Sequence, residues 1–281
     1  MKVAAIIITY NPDIKRLDEN IKAVLPQIEQ LFIVDNGSKN SCEIYEKYAF
    51  LENINIIKLK RNKGIAYALN RGCEAAEKFS EWVITLDQDS VVPNNLVEEY
   101  EKFINFPNIG IIAPRIKYKN GFIENDFYNS KHYIEVEKCI SSANMVKLSS
   151  WKAVGGFDEK MFIDYVDFDF CASLREHGYK IILCENAVLD HELGKAEQVK
   201  KFPFSKSMVN IYNHSPLRTY YYTRNALYYI RKHKKSHAIN VWVENKILIR
   251  WLGIKLIYER NRWQCMKSII KGFVDGLKME V

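Results

Sequence analysis

The chain has 281 residues, 48% hydrophobic and 27% charged, with no low-complexity tract, which excludes a disordered or fibrous protein and allows one sizeable core plus an appendage. Its net charge of +7 is unevenly placed: Lys200 to Val281 carries 17 Lys and Arg against 4 Asp and Glu, which leaves the first 199 residues at −6. The six cysteines (Cys42, Cys73, Cys139, Cys171, Cys184 and Cys265) lack Cys-x-x-Cys spacing, which argues against a zinc site or a disulfide framework and fits a reducing cytoplasm.

MKVAAIIITYNP has a short apolar run broken by polar residues and reads as a first strand, not a signal peptide. No stretch reaches the roughly 18 uninterrupted apolar residues of a membrane span. VAAIIIT (3–9), LFIVD (31–35), INIIKL (54–59) and WVITLD (82–87) are nearly continuous apolar runs, as buried parallel strands are. Between the first two, Ile14, Leu17, Ile21, Val24 and Leu25 recur at helical spacing behind Asp13, a suitable N-cap. Ile65, Ala68, Leu69, Cys73 and Ala76 repeat the pattern behind Gly64, so the order predicts an open parallel sheet covered by helices.

IGIIAP (109–114) is a further strand, 116–138 reads as loop or irregular strand, and 140–148 as extended. Asp164 to Gly178 reads as a helix, IILCE (181–185) as a strand and Ala187–Leu189 as another short one. A linker is expected over roughly 194–215, then two or three helices over 216–279. In the second of these Ile247, Trp251, Ile254 and Tyr258 form one stripe, with Arg250, Lys255 and Glu259 elsewhere.

Ligands of open parallel sheets bind beyond the carboxyl ends of the strands, where the distinctive polar residues fall. Thr9-Tyr10-Asn11 closes the first strand, Asp35-Asn36-Gly37-Ser38 the second and Asp87-Gln88-Asp89 the fourth. Two aspartates in a strand-to-helix loop supply hard oxygen ligands for Mg²⁺ or Mn²⁺ against a diphosphate, although such a pair standing alone is more often a solvated turn. Asp35 can accept the N3–H of uracil or thymine, or make an Asx-turn. Arg61-Asn62-Lys63-Gly64 puts cations and a glycine turn ahead of a helix, a resting place for a nucleotide or plain helix-start chemistry.

In this order and spacing ITYNP, VDNGS, RNKGIAYALNRG and LDQDS resemble the nucleotide-binding half of glycosyltransferase family 2, inverting enzymes of the GT-A fold. The resemblance spans about 1–195. It implies an α/β, Rossmann-like, mostly parallel sheet with helices on both faces and a C-terminal helical extension. The catalytic domain covers 1–195, with a nucleotide-sugar-binding half (1–108) and an acceptor-binding half (109–195), and the basic extension covers 196–281. Thr9, Tyr10, Asn11, Asp35, Arg61, Asn62, Gly64 and Asn70 take nucleotide-sugar-binding roles by this resemblance, joined by Asp87 and Gln88. Asp87 is assigned to ribose or metal and Asp89 to direct metal binding.

SSANMVKLSSWKAVGGFDE resembles the family's acceptor-side segment, and FIDYVDFDFCASLREHGYK the helix that carries its general base. The family commonly has Glu-Asp where this chain has Val166-Asp167, so the base is assigned to Asp167, with Asp164 in reserve because a helix would put the two on one face. A helix-start acidic cluster answering the macrodipole is the plainer alternative. His191-Glu192-Leu193-Gly194 resembles the His-x-x-Gly that completes a metal shell in rhamnosyltransferases of the family. The tail HSPLRTYYYTRNALYYIRKHKK also resembles theirs; Arg218 and Arg224, interleaved with tyrosines, could clamp a diphosphate or belong to a helix that packs its tyrosines inward.

The implied protein is a cytoplasmic, metal-dependent glycosyltransferase, peripheral at the inner face of the membrane. The implied donor is dTDP-L-rhamnose, with a UDP-sugar as the alternative, and the acceptor a lipid-linked saccharide. The basic tail suits an anionic membrane surface, and its aromatic stripes a homo-oligomer. A nucleotidyltransferase lacks support, because Thr9–Pro12 is neither glycine-rich nor basic. Nucleic-acid binding would leave the acidic cleft idle, and a non-catalytic nucleotide-sugar-binding or membrane-docking protein would have no need of Asp87, Asp89 and Asp167.

Overall fold

A computed structural model describes residues 2–118, 123, 131–191, 197–200 and 208–281, with the side chains of 118, 191, 197–200 and 208–210 outside that description. The chain forms two compact units, Met1–Phe162 with Val166–His191, and Ile163–Tyr165 with Glu192–Val281.

The first unit opens with the predicted alternation: β1 (Val3–Thr9), α1 (Ile14–Val24), β2 (Gln30–Asp35), α2 (Ser41–Tyr48), β3 (Ile54–Lys58), α3 (Ile65–Ala76) and β4 (Trp82–Asp87). It continues through α4 (Leu96–Glu101), β5 (Ile109–Tyr118), β6 (Tyr133–Glu135), β7 (Asn144–Lys147), α5 (Leu148–Ala153), α6 (Val166–Glu176) and β8 (Lys180–His191). Asp13 caps α1 as expected, its carboxylate accepting from the backbone N–H groups of Lys15 and Arg16.

Eight strands make one sheet in the order β3-β2-β1-β4-β7-β5-β8-β6. β1 to β4 pair in parallel, and β7 runs antiparallel between β4 and β5, so β5 and β8 point the same way as β1. Six strands therefore end at one edge. The apolar runs of β1, β2 and β4 are buried, which is why their sequences show no alternation. α3 lies flush on the sheet because Gly72 has no side chain; a Cβ there would meet Ile6 at 2.6 Å.

Several expectations are corrected. The helix starts at Val166, not Asp164: Asp164 and Tyr165 have φ of 63° and 66°, which a right-handed helix does not admit. The two short strands near 181–189 are one, β8, with a bulge where Pro114 pairs with Cys184 and Arg115 with Val188. Arg115 fastens that bulge, its Nε donating to the Glu185 carbonyl at 2.7 Å. Leu148, read as extended, opens α5. Of 116–138, residues 119–122 and 124–130 lie outside the description.

In the second unit the expected linker contains an antiparallel pair, β9 (Glu197–Lys200) and β10 (Met208–Ile211), followed by α7 (Pro216–His233), α8 (Val241–Tyr258) and α9 (Arg262–Lys278). Gly272 and Gly276, one turn apart in α9, let it approach the α7 backbone; a Cβ at either would lie 2.6 or 2.7 Å from the carbonyl oxygens of Tyr220 or Arg224. The expected α8 stripe is wrong about its charged members. Lys255 and Glu259 are each only 2% exposed and paired with one another inside, whereas Ile247 faces outward. The tripeptide Ile163–Tyr165 packs with α7: Asn225 Nδ2 donates to the carbonyls of Ile163 and Asp164, and the Tyr165 ring lies against Tyr222 and Tyr229. Among the described residues no helix is long and apolar enough to cross a membrane.

Gly72→Ala should destabilise the first unit by about 1–3 kcal/mol despite alanine's better helix propensity, because the methyl group overpacks Ile6; urea unfolding of the two proteins measures this.

Candidate active site at the carboxyl edge of the sheet

Thr9 pairs in register with Asp35, and Ile8 with Asp87, so the polar residues that close β1, β2 and β4 stand side by side at the edge where parallel strands end. Asp35 is fully buried; its Oδ1 accepts from the Ser38 N–H at 3.0 Å, and its Oδ2 has no hydrogen-bond partner among the described residues. The buried Thr9 hydroxyl beside it also lacks one. Unmet buried polar groups cost about 1–3 kcal/mol each, a demand that a ligand's N–H would meet. The loops that follow β1, β2 and β4 meet at this edge.

Those loops brace one another. The Tyr10 N–H donates to Gln88 Oε1 at 2.8 Å, the Asn11 N–H to Ser38 Oγ at 2.9 Å, and the Lys39 N–H to Asn11 Oδ1 at 2.8 Å. Tyr10 itself is exposed. The turn at 61–64 is tied to Asn36, whose Oδ1 accepts from the Lys63 N–H and whose Nδ2 donates to Asn62 Oδ1 and the Gly64 carbonyl. Gly64, at φ 92°, has no room for a Cβ beside Phe162, and Arg61 is exposed.

Asp87 is the last residue of β4, and Gln88 and Asp89 follow it, as predicted. Their loop is held by α1, with Asn20 Nδ2 donating to the Asp87 carbonyl at 2.7 Å and Arg16 Nε to the Asp89 carbonyl at 3.0 Å. Sequence reasoning missed both braces. The signal was present: Asn20 is a polar residue in the apolar stripe of Leu17, Ile21 and Val24. Among the described residues no three His, Cys, Asp or Glu side chains are grouped to hold a metal. Two exposed or half-exposed carboxylates on one loop do suit a cation that takes its remaining ligands from phosphate and water, as Mg²⁺ does. His191 ends β8 next to Tyr118 of β5, at the same edge; its side chain lies outside the description.

Asp167 occupies the first turn of α6, with Oδ1 accepting from the Phe168 N–H. It lines a narrow crevice with Thr85, Ser141, Asn144 and Cys171, Thr85 lying two residues before Asp87 on β4. Asn144 also lines an adjoining apolar cavity of about 120 Å³, walled by Pro114, Ile140, Phe168 and Leu183. The Cys139 and Cys171 sulfurs stand 3.8 Å apart there. That hydrogen bond and burial push the Cys139 thiol well above its ordinary range.

Three predicted binding residues already have hydrogen-bond partners. Asn70 is buried, and its amide is fully engaged: Nδ2 donates to the Phe157 carbonyl and Glu159, while Oδ1 accepts from Trp151 Nε1 and the Phe157 N–H. It therefore fastens the Trp151–Glu159 segment. In the second unit Arg218 grips Asp164 through Nε and Nη2, the latter 2.9 Å from Oδ1, which also removes Asp164 as a ready base. Arg224 donates from Nε and Nη2 to Asn225 Oδ1 and lies over the Tyr221 ring. Six residues apart on α7, the two arginines leave the helix roughly 120° apart.

A mixed α/β sheet with polar strand ends converging on one edge is the architecture of the GT-A nucleotide-sugar transferases. The profile of glycosyl transferase family 2 matches residues 4–175, and the chain belongs to that family. It is 29% identical to the dTDP-rhamnosyl transferase RfbF of Shigella flexneri, over 98% of this chain and 95% of that protein. Its fold is similar to that of the mannosyltransferase PcManGT from Pyrobaculum calidifontis in complex with GDP-Man and Mn²⁺ (TM-score 0.63, 16% identity, covering 100% of this chain and 76% of that one). It is also similar to S. aureus TarS 1–349 in complex with UDP-GlcNAc (TM-score 0.60, 17% identity, 99% and 81%).

Asn70→Ala should cost about 3 kcal/mol in urea unfolding, because it strands the Trp151 indole N–H and both Phe157 backbone groups in the interior; a mere ligand contact would leave stability unchanged.

Proposed function

We propose that this glycosyltransferase moves L-rhamnose from dTDP-L-rhamnose, with inversion, to a hydroxyl of a lipid-linked saccharide in bacterial surface polysaccharide synthesis, working at the cytoplasmic face of the cell membrane. The donor assignment is carried by similarity to a dTDP-rhamnosyl transferase that runs almost end to end through both units. The unmet Asp35 Oδ2 supports a pyrimidine: thymine's N3–H is the donor that this carboxylate lacks. Thr9, Tyr10, Asn11 and the Arg61–Gly64 turn would complete the nucleoside pocket, with Gln88 holding the first loop in place.

Asp87 and Asp89, with His191 as a further ligand, would hold Mg²⁺ or Mn²⁺, which when bound supplies Lewis-acid neutralisation of the departing diphosphate. Asp167 takes the proton from the acceptor hydroxyl as its oxygen attacks the anomeric carbon. The new C–O bond forms on the face opposite the departing dTDP, the bond between C1 and the phosphate oxygen breaks, and no sugar–enzyme intermediate arises. The apolar cavity beside Asp167 offers a wall for the acceptor sugar's less polar face.

Asp167→Asn should lower rhamnosyl transfer by about 10²–10⁴-fold while dTDP-rhamnose still binds. Asp89→Ala should instead weaken metal-dependent donor binding. Calorimetric titration of dTDP-rhamnose and UDP-sugars with Mg²⁺ or Mn²⁺, alongside a transfer assay, separates the readings. Preferential binding of a UDP-sugar would overturn the rhamnose donor, and binding of no nucleotide sugar would overturn the site.

A further inference from the structure

The second unit carries an apolar surface to which the proposed transfer assigns no role. At 100° per residue, Trp263, Ile270, Val274 and Leu277 of α9 fall within an arc of roughly 60°, on the side away from the Gly272–Gly276 contact with α7. All four are exposed, Trp263 at 77%. On α8, Trp242 and Ile249 repeat the pattern at a spacing of seven residues and are 70% and 69% exposed. Large apolar side chains concentrated on two helices mark an interaction surface.

Charge decides what it meets. Lys267, Lys271 and Lys278 flank the α9 stripe, and Lys246 and Arg250 flank that of α8. Three of this segment's four acids are turned away: Glu244 and Glu259 are buried, and Asp275 accepts from the Tyr220 hydroxyl, which leaves exposed Glu280, beyond the end of α9, against five cations. A second copy pressed on this face would set cations against cations. An anionic bilayer accepts both features, the tryptophans and aliphatic groups entering the headgroup boundary and the lysines meeting phosphates.

We infer that the outer faces of α8 and α9 form an interfacial membrane-docking surface for anionic lipid. The inference does not depend on which sugar the enzyme transfers. The test is co-sedimentation of the full chain with vesicles of phosphatidylglycerol and phosphatidylethanolamine, against vesicles of phosphatidylcholine alone, with sedimentation velocity reporting oligomeric state. Wild type should bind the anionic vesicles, more weakly in high salt, and not the neutral ones. Trp263→Glu with Ile270→Glu, and separately Lys267→Glu with Lys278→Glu, should each weaken binding by about tenfold or more. Phe50→Glu, at an 87% exposed apolar residue of the first unit, should leave it unchanged. The inference is overturned if wild type does not bind anionic vesicles, or if both double variants bind as well as wild type. A dimer that the Trp263/Ile270 variant splits, with no vesicle binding, would assign the face to a second copy instead.

Discussion

Parallel pairing of β1, β2 and β4 is the constraint on which the site depends. Strands that run the same way must finish at the same edge, and their last side chains become neighbours whatever the loops do. Thr9 and Asp35 are neighbours for that reason, through a register set by apolar residues that have no part in chemistry. The loops then need only local fastening, which Gln88, Ser38, Asn36 and the α1 residues Arg16 and Asn20 provide. Most of these bonds pair a side chain with a backbone group of another loop, so each loop's position is a property of the set.

That division explains what could be read from the sequence. The buried strands were legible because a parallel strand covered on both faces needs an unbroken apolar run, and Asp13 because its cap depends on residues two and three places on. The braces depend on contacts between distant parts of the chain: Arg16 reaches Asp89, and Asn70 reaches Phe157. Asn70 sits inside a motif of nucleotide-binding residues, so proximity in sequence suggested a role that its hydrogen bonds do not bear out. Asp164 misled for a local reason. Its acidic side chain fits a helix start, but a left-handed backbone at both Asp164 and Tyr165 ends any helix there.

The helical unit shows the opposite case, in which pattern alone misplaces residues. Lys255 and Glu259 look like surface groups in sequence, yet each is acceptable inside only because the other is there. Burying that pair leaves Ile249 and Trp242 outside. The two glycines of α9 have a similar effect: they bring its backbone against α7 and so fix which way its larger side chains face.

The tripeptide Ile163–Tyr165 means that neither unit is one continuous stretch of chain. Its carbonyls, its carboxylate and its ring are all answered from α7, by Asn225, Arg218, Tyr222 and Tyr229. A truncation after β8 would therefore keep every strand of the sheet and still orphan the three residues that lead into α6. Grafting the helical tail of one relative onto the sheet of another meets the same obstacle. In recombination the inheritable module is the tripeptide that leads into α6 together with α7, so substitutions at Asp164 and Arg218 are expected to travel together between lineages.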